Sequence, residues 1–167
     1  MLTWLRVMAF VSLAAGTSVA AAAPVFTIKN VFLGGGLSWN DISSSNGATG
    51  VQAFGGYTFG EFAPRLYLDA EAGYMDSGNL RPSSPQPFSR ARGPWTTGVA
   101  RYMVAPSVEL LARAGVDFGD DDGPMFGAGV GFIASRNLKV RLEFVARDHI
   151  DSFQVNEIGR ASCRERV

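Results

Sequence analysis

The sequence predicts an all-β fold: an up-and-down antiparallel transmembrane β-barrel, eight strands in the intact protein, with the last strand truncated. Three observations lead there. Segments of roughly ten residues alternate apolar and polar side chains, so that one face of each suits lipid and the other a polar interior. The connections alternate between long polar loops and short turns. Aromatic residues gather at both ends of the segments, where a membrane has its interfaces. Composition agrees, because 20 glycines, 12 phenylalanines and 18% charged residues favour β-structure over a helical bundle. Fifteen basic residues balance fifteen acidic ones, which gives a nucleic-acid partner no electrostatic basis.

Residues 1–22 read as a secretory signal peptide. Arg6 supplies the positive start, 7–15 the apolar centre and 18–23 the small residues of a cleavage region. The apolar run falls short of the ~20 residues that a spanning helix needs. The barrel is expected over 23–156. Its first strand, 31–39, turns Leu33, Leu37 and Trp39 outward and Gly34, Gly36 and Ser38 inward. After a polar loop at 40–48, the strand 49–59 places Val51, Ala53, Tyr57 and Phe59 on the apolar face. A turn at 60–65 leads to 66–75, with Leu68, Ala70, Ala72 and Tyr74 outward and Asp69 and Glu71 inward. The segment 76–93, with three prolines and four serines, is expected to be a long exposed loop without strand.

The strand at 95–102 has two parities. Thr96, Gly98, Ala100 and Tyr102 outward is preferred, because it sends Arg101 inward rather than into lipid. A short turn at 103–107 precedes 108–118, where Val108, Leu110, Ala112, Ala114, Val116 and Phe118 oppose Glu109, Arg113 and Asp117. An acidic turn at 119–124 leads into 125–132, with Phe126, Ala128, Val130 and Phe132 set against Gly127, Gly129 and Gly131. The clearest strand is 138–144: Leu138, Val140, Leu142 and Phe144 face one way and Lys139, Arg141 and Glu143 the other. A polar loop at 146–152 then leads to 153–156, half a strand.

From 157 the alternation stops. Residues 158–167 match, residue for residue, the in-frame translation ATC GGA AGA GCG TCG TGT AGG GAA AGA GTG of a common sequencing adapter. The tail 157–167 is therefore expected to be non-native. The eighth strand is expected either to be improvised from residues near 157–160 or to be missing. The single cysteine, Cys163, lies in this tail, so no disulfide framework is available. Setting aside Arg6 and the tail's three arginines and two glutamates leaves 11 basic against 13 acidic residues.

The inward charges form one balanced set: Asp69, Glu71, Glu109 and Glu143 against Arg101, Arg113, Lys139 and Arg141. Barrels of eight strands have interiors filled by side chains, so these are expected to pair as a plug, with the inward glycines making room for the long arginines. The outward aromatics are expected in two interfacial girdles, with Trp39, Tyr74, Phe118 and Phe126 at the loop ends and Tyr57, Phe59, Tyr102 and Phe132 at the turn ends.

The run at 32–39, Phe-Leu-Gly-Gly-Gly-Leu-Ser-Trp, resembles the first strand of the OmpA-like eight-stranded outer-membrane barrels, especially the small stand-alone proteins of Gram-negative bacteria. Leu-Asp-Ala-Glu-Ala-Gly-Tyr at 68–74 resembles their third strand, and 111–119 their fifth. The resemblance covers nearly all of 31–156. It implies export to the bacterial outer membrane, contact with lipid and lipopolysaccharide, and insertion by the barrel-assembly machinery. It also implies a non-catalytic structural or surface-interaction role. Such proteins usually end on an aromatic residue that this machinery reads, and here that ending is absent.

Catalysis has little to stand on. His149 and Ser152 lie three residues apart in the loop, on opposite faces if the segment were a strand, unlike the His-x-Ser spacing of outer-membrane lipid A deacylases. Asp120-Asp121-Asp122-Gly123 lacks the ligand spacing of an EF-hand loop and reads as an anionic rim. No cofactor or metal motif is present. Arg81, Arg90 and Arg92 are candidate contacts for lipopolysaccharide phosphates. The alternatives to a structural barrel are an enzyme acting on lipid A and a narrow pore or small-ligand barrel.

Overall fold

The computed structural model describes residues 30–41, 45–79, 81–82 and 90–160, without the side chains of 45–46 and 81–82. The expected signal segment, the side chain of Arg81 and the tail beyond 160 lie outside these residues.

Eight strands form the wall: β1 (Val31–Asp41), β2 (Ala48–Ala63), β3 (Leu66–Asp76), β4 (Arg92–Ala105), β5 (Val108–Asp117), β6 (Gly123–Ile133), β7 (Leu138–Ala146) and β8 (Asp151–Arg160). Each pairs antiparallel with its neighbours in sequence, and β1 pairs with β8 to close the barrel. The strands run from 9 to 16 residues, against the ~9–11 that a tilted strand needs to cross a bilayer. Closure is what lets such a sheet sit in lipid, because it leaves no backbone edge without a hydrogen-bond partner.

The parity read from the sequence holds on the first seven strands. Leu33, Val51, Tyr74, Tyr102, Leu110, Phe132 and Phe144 are exposed on the outside, while Arg101, Arg113 and Arg141 are buried within. Boundaries differ. The expected six-residue turn between β2 and β3 shrinks to Pro64 and Arg65, with Arg65 at φ 66° and its N–H donated to Glu61 Oε1. The segment 76–93 was expected to hold no strand, yet Arg81–Pro82 pairs with Ser45–Asn46 of the first loop, and Asp76 and Arg92 belong to β3 and β4. Proline fits there because a two-stranded ladder is all edge, where a missing N–H leaves no neighbour unsatisfied.

The eighth strand follows the improvised alternative. It runs through Arg160, pairing Phe32 with Arg160, Gly34 with Ile158 and Gly36 with Asn156. Had it stopped at Asn156, Phe32 to Gly35 would face no partner on that side. Ile158 also points inward, 4% exposed, where it joins an apolar cluster with Phe32, Phe54, Met75, Trp95, Met125 and Val145.

Candidate functional site: the filled interior and the loop rim

The eight inward charges arrive from four strands, β3, β4, β5 and β7, because each lies on the interior parity of its strand. All are between 0 and 9% exposed. They connect into one run. Lys139 Nζ sits 2.7 Å from Glu109 Oε1, and Arg101 Nη1 donates to Glu109 Oε2 at 2.9 Å. Arg101 also clasps Asp69 through Nε at 2.5 Å and Nη2 at 2.9 Å. Arg141 Nη1 donates to Glu71 Oε1 at 2.6 Å, with Nη2 3.6 Å from Asp69. Arg113 Nη2 then bridges Glu71 at 2.9 Å and Glu143 at 2.8 Å.

The run continues through groups that the sequence reading did not pick out. Asn156 Nδ2 donates to Glu143 Oε1 at 3.1 Å, and Gln52 Nε2 donates to Asn156 Oδ1 at 2.6 Å and Gln154 Oε1 at 2.8 Å. Each interior arginine also lies over an aromatic ring: Arg101 over Tyr67, Arg113 over Trp95 and Arg141 over Phe32, at 5.4, 5.5 and 5.9 Å from the ring centres. Their signal was present, since these rings share the inward parity of the charges. The inward glycines do less for arginine than expected. A Cβ on Gly34 would sit 2.4 Å from the Phe54 ring and one on Gly131 2.6 Å from Glu109 Cγ; only Gly127, at 2.9 Å from Arg113 Cγ, clears an arginine.

The two ends of the interior differ. At the turn end a cavity of about 80 Å³ is walled by Phe32, Asp69, Arg101, Lys139, Arg141 and Ile158. At the loop end a second polar chain closes the mouth. Arg147 donates to Asp117 Oδ2 at 3.1 Å and to Ser152 Oγ at 2.9 Å, Ser152 donates to Asn40 Oδ1 at 2.7 Å, and Asn40 donates to the Ser77 carbonyl at 2.8 Å. Ala48, Ala91 and Ile150 pack as an apolar cluster at this end. Ser152 is therefore buried and committed to Asn40 and Arg147, and no triad with His149 is assembled.

Of the aromatics expected at interfaces, Trp39, Phe59, Tyr74, Tyr102, Phe118, Phe126 and Phe132 are exposed on the outer wall. Tyr57 is half-buried against Phe59, the rings edge-on at 5.4 Å. Trp39 sits 6.0 Å from the ring of Phe153, an outward aromatic of β8. Of the candidate phosphate-binding arginines, Arg90 is tied to Asp76 by two hydrogen bonds, which neutralises it, while Arg92 lies exposed on the outward parity of β4.

On the rim, the β5–β6 turn and the β7–β8 turn meet. His149 N donates to Asp121 Oδ1 at 3.1 Å, and His149 Nδ1 lies 2.9 Å from the same oxygen and 3.1 Å from Asp148 Oδ2. The hydrogen bond with Asp121 raises the imidazole pKa above its ordinary value. In the sequence His149 stands in a polar loop; the Asp121 that meets it lies 28 positions away.

The family described as OmpA-like transmembrane domain matches residues 28–158. A search of curated proteins finds no match. Among solved structures, a de novo designed transmembrane β-barrel is similar at 18% identity and a TM-score of 0.57, covering 81% of this chain and 98% of that one. The Ail outer membrane protein of Yersinia pestis in a phospholipid nanodisc is similar at 10% identity and a TM-score of 0.53, with 78% and 98% covered. A crystal structure of Ail gives 13% identity, a TM-score of 0.50, and 77% and 94% covered. At these identities the likeness is one of fold.

Proposed function

The chain belongs to the OmpA-like transmembrane domain family, and on that premise we propose that it is a non-catalytic integral outer-membrane barrel whose interior is a permanent charge-paired plug. Its loops serve envelope integrity or surface interactions. The reading rests on one observation: the unbroken run of ion pairs and hydrogen bonds from Lys139 through Arg101, Arg141 and Arg113 to Gln154. Ions taken from water into a narrow interior must find partners there, and once each has one, little is left to carry an ion or a substrate. Residues 1–22 direct export, and the barrel-assembly machinery inserts the folded wall into lipid.

The test is conductance. Chain refolded in detergent, with the heat-modifiable gel mobility of a closed barrel, is added to planar lipid bilayers under voltage. The plug predicts a silent bilayer, whereas discrete reproducible openings would establish the pore reading instead. Lipopolysaccharide is the proposed partner at the rim, and Arg92 its proposed phosphate contact. Arg92→Gln should weaken binding to lipopolysaccharide vesicles while Arg90→Gln, whose charge Asp76 already answers, should not. No observation favours an enzyme acting on lipid A.

A further inference from the structure

The rim cluster contains a defect that the barrel does not explain. Asp121 is 3% exposed, so its carboxylate is cut off from water. Its Oδ1 serves His149, while its Oδ2 is buried with no hydrogen-bond partner among the described residues. A buried carboxylate oxygen without a partner is costly, and a cation is one of the few groups that relieves it. The other oxygen of the same carboxylate meets the His149 imidazole, whose Nδ1 also lies beside a second carboxylate, Asp148. One donor atom each from Asp121, Asp148 and His149 lies within 4.8 Å of the others. The fold holds the two turns together at this point: Gly123 adopts φ 157°, and a Cβ there would sit 3.1 Å from Asp148 Cβ.

We propose that Asp121, Asp148 and His149 form a binding site for a borderline divalent transition-metal cation, with Zn²⁺ as the fitting ion. The donor set decides the class. Calcium takes six to eight oxygens, whereas zinc accepts a ring nitrogen and carboxylate oxygens at about 2.0–2.2 Å in four-coordinate geometry. Two such ligands at a tetrahedral angle stand ~3.3–3.5 Å apart. The present separations of 2.9 and 3.1 Å from His149 Nδ1 need to open by only a few tenths of an ångström. On binding, the Nδ1 lone pair goes to the metal and any proton on it leaves to solvent. His149 and Asp148 are about half exposed, at 48% and 52% for the side chains, so a fourth position opens outward. Water, or an external phosphate or carboxylate, completes the sphere there. The bound ion cross-links the β5–β6 and β7–β8 turns.

The experiment uses the full, untagged chain carrying Cys163→Ser, because a thiol would itself hold zinc. Chelator-treated protein refolded in detergent is titrated with zinc chloride by calorimetry. One ion per chain is expected, not displaced by excess calcium chloride. Asp121→Asn and His149→Ala should each weaken binding by at least about tenfold, since losing even a residue that only hydrogen-bonds to a metal ligand costs about 10–100-fold. Asp41→Asn, which removes a carboxylate from the same rim without touching the trio, should leave binding unchanged. Heat-modifiable mobility of every variant shows that the barrel has closed. The proposal fails if zinc binding does not saturate, as it would not if His149 simply formed an ion pair with the two aspartates. It also fails if Asp121→Asn and His149→Ala bind as well as the parent, or if Asp41→Asn loses as much as they do.

Discussion

The barrel interior and the loop rim use the same side chains to opposite ends. Inside, four acids meet four bases and each ion has a partner within 3 Å. At the rim, Asp121, Asp122 and Asp148 gather around a single histidine, while the nearby Arg147 turns inward to Asp117. The surroundings account for the contrast. Lipid and packed side chains offer nothing to solvate an ion, so the interior must be neutral by itself. Water borders the rim and allows charge there to stay unbalanced, and unbalanced charge is what an external cation or partner can use. The interior ions therefore answer one another, and the rim ions leave charge facing water.

That contrast breaks first at Arg141. Arg141→Met leaves Glu71 facing Arg113 alone and strips Asp69 of a neighbour, so it should cost about 3–5 kcal/mol in urea unfolding from phospholipid vesicles. An unshifted midpoint would mean that the interior pairs are not what holds the wall together. A smaller loss, about 1–3 kcal/mol, is expected from Gly131→Ala, whose added Cβ must push Glu109 off Lys139 and Arg101. Arg147→Met should fall in a similar range of about 1–3 kcal/mol, because it takes the guanidinium away from the buried Asp117 Oδ2 and from Ser152 where the plug approaches water. At the bottom of the scale, Arg90→Gln on the exposed rim should leave the unfolding midpoint where it was. A rim substitution as damaging as Arg141→Met would erase the distinction between the two regions.

Much of the wall was legible in the sequence because side-chain direction in a strand is local. Leu138-Lys139-Val140-Arg141 announces two faces without reference to any other residue, and even the ambiguous 95–102 strand followed once Arg101 had to avoid lipid. Partnership was not legible. Arg141 meets Glu71 across 70 residues and Gln52 meets Asn156 across 104, distances that depend on strand register around a closed circuit. The interior rings Phe32, Phe54 and Trp95 carry no charge that marks them as interior, although their parity sends them inward. The rim trio was hidden for a related reason: Asp121 reads as one of three consecutive aspartates until the fold brings His149 to it.

The sequence by itself determined that seven whole segments and half of an eighth turn one face outward, and that four of them carry a neutral set of ions on the other, since period and charge count need no third dimension. Only the tertiary structure decided how the circuit closes and who pairs with whom. A strand in lipid must satisfy its backbone on both edges. β8 therefore runs on through Glu157, Ile158, Gly159 and Arg160, the improvised one of the two expected outcomes, and supplies β1 from Phe32 to Gly35 with the neighbour that alternation alone did not provide.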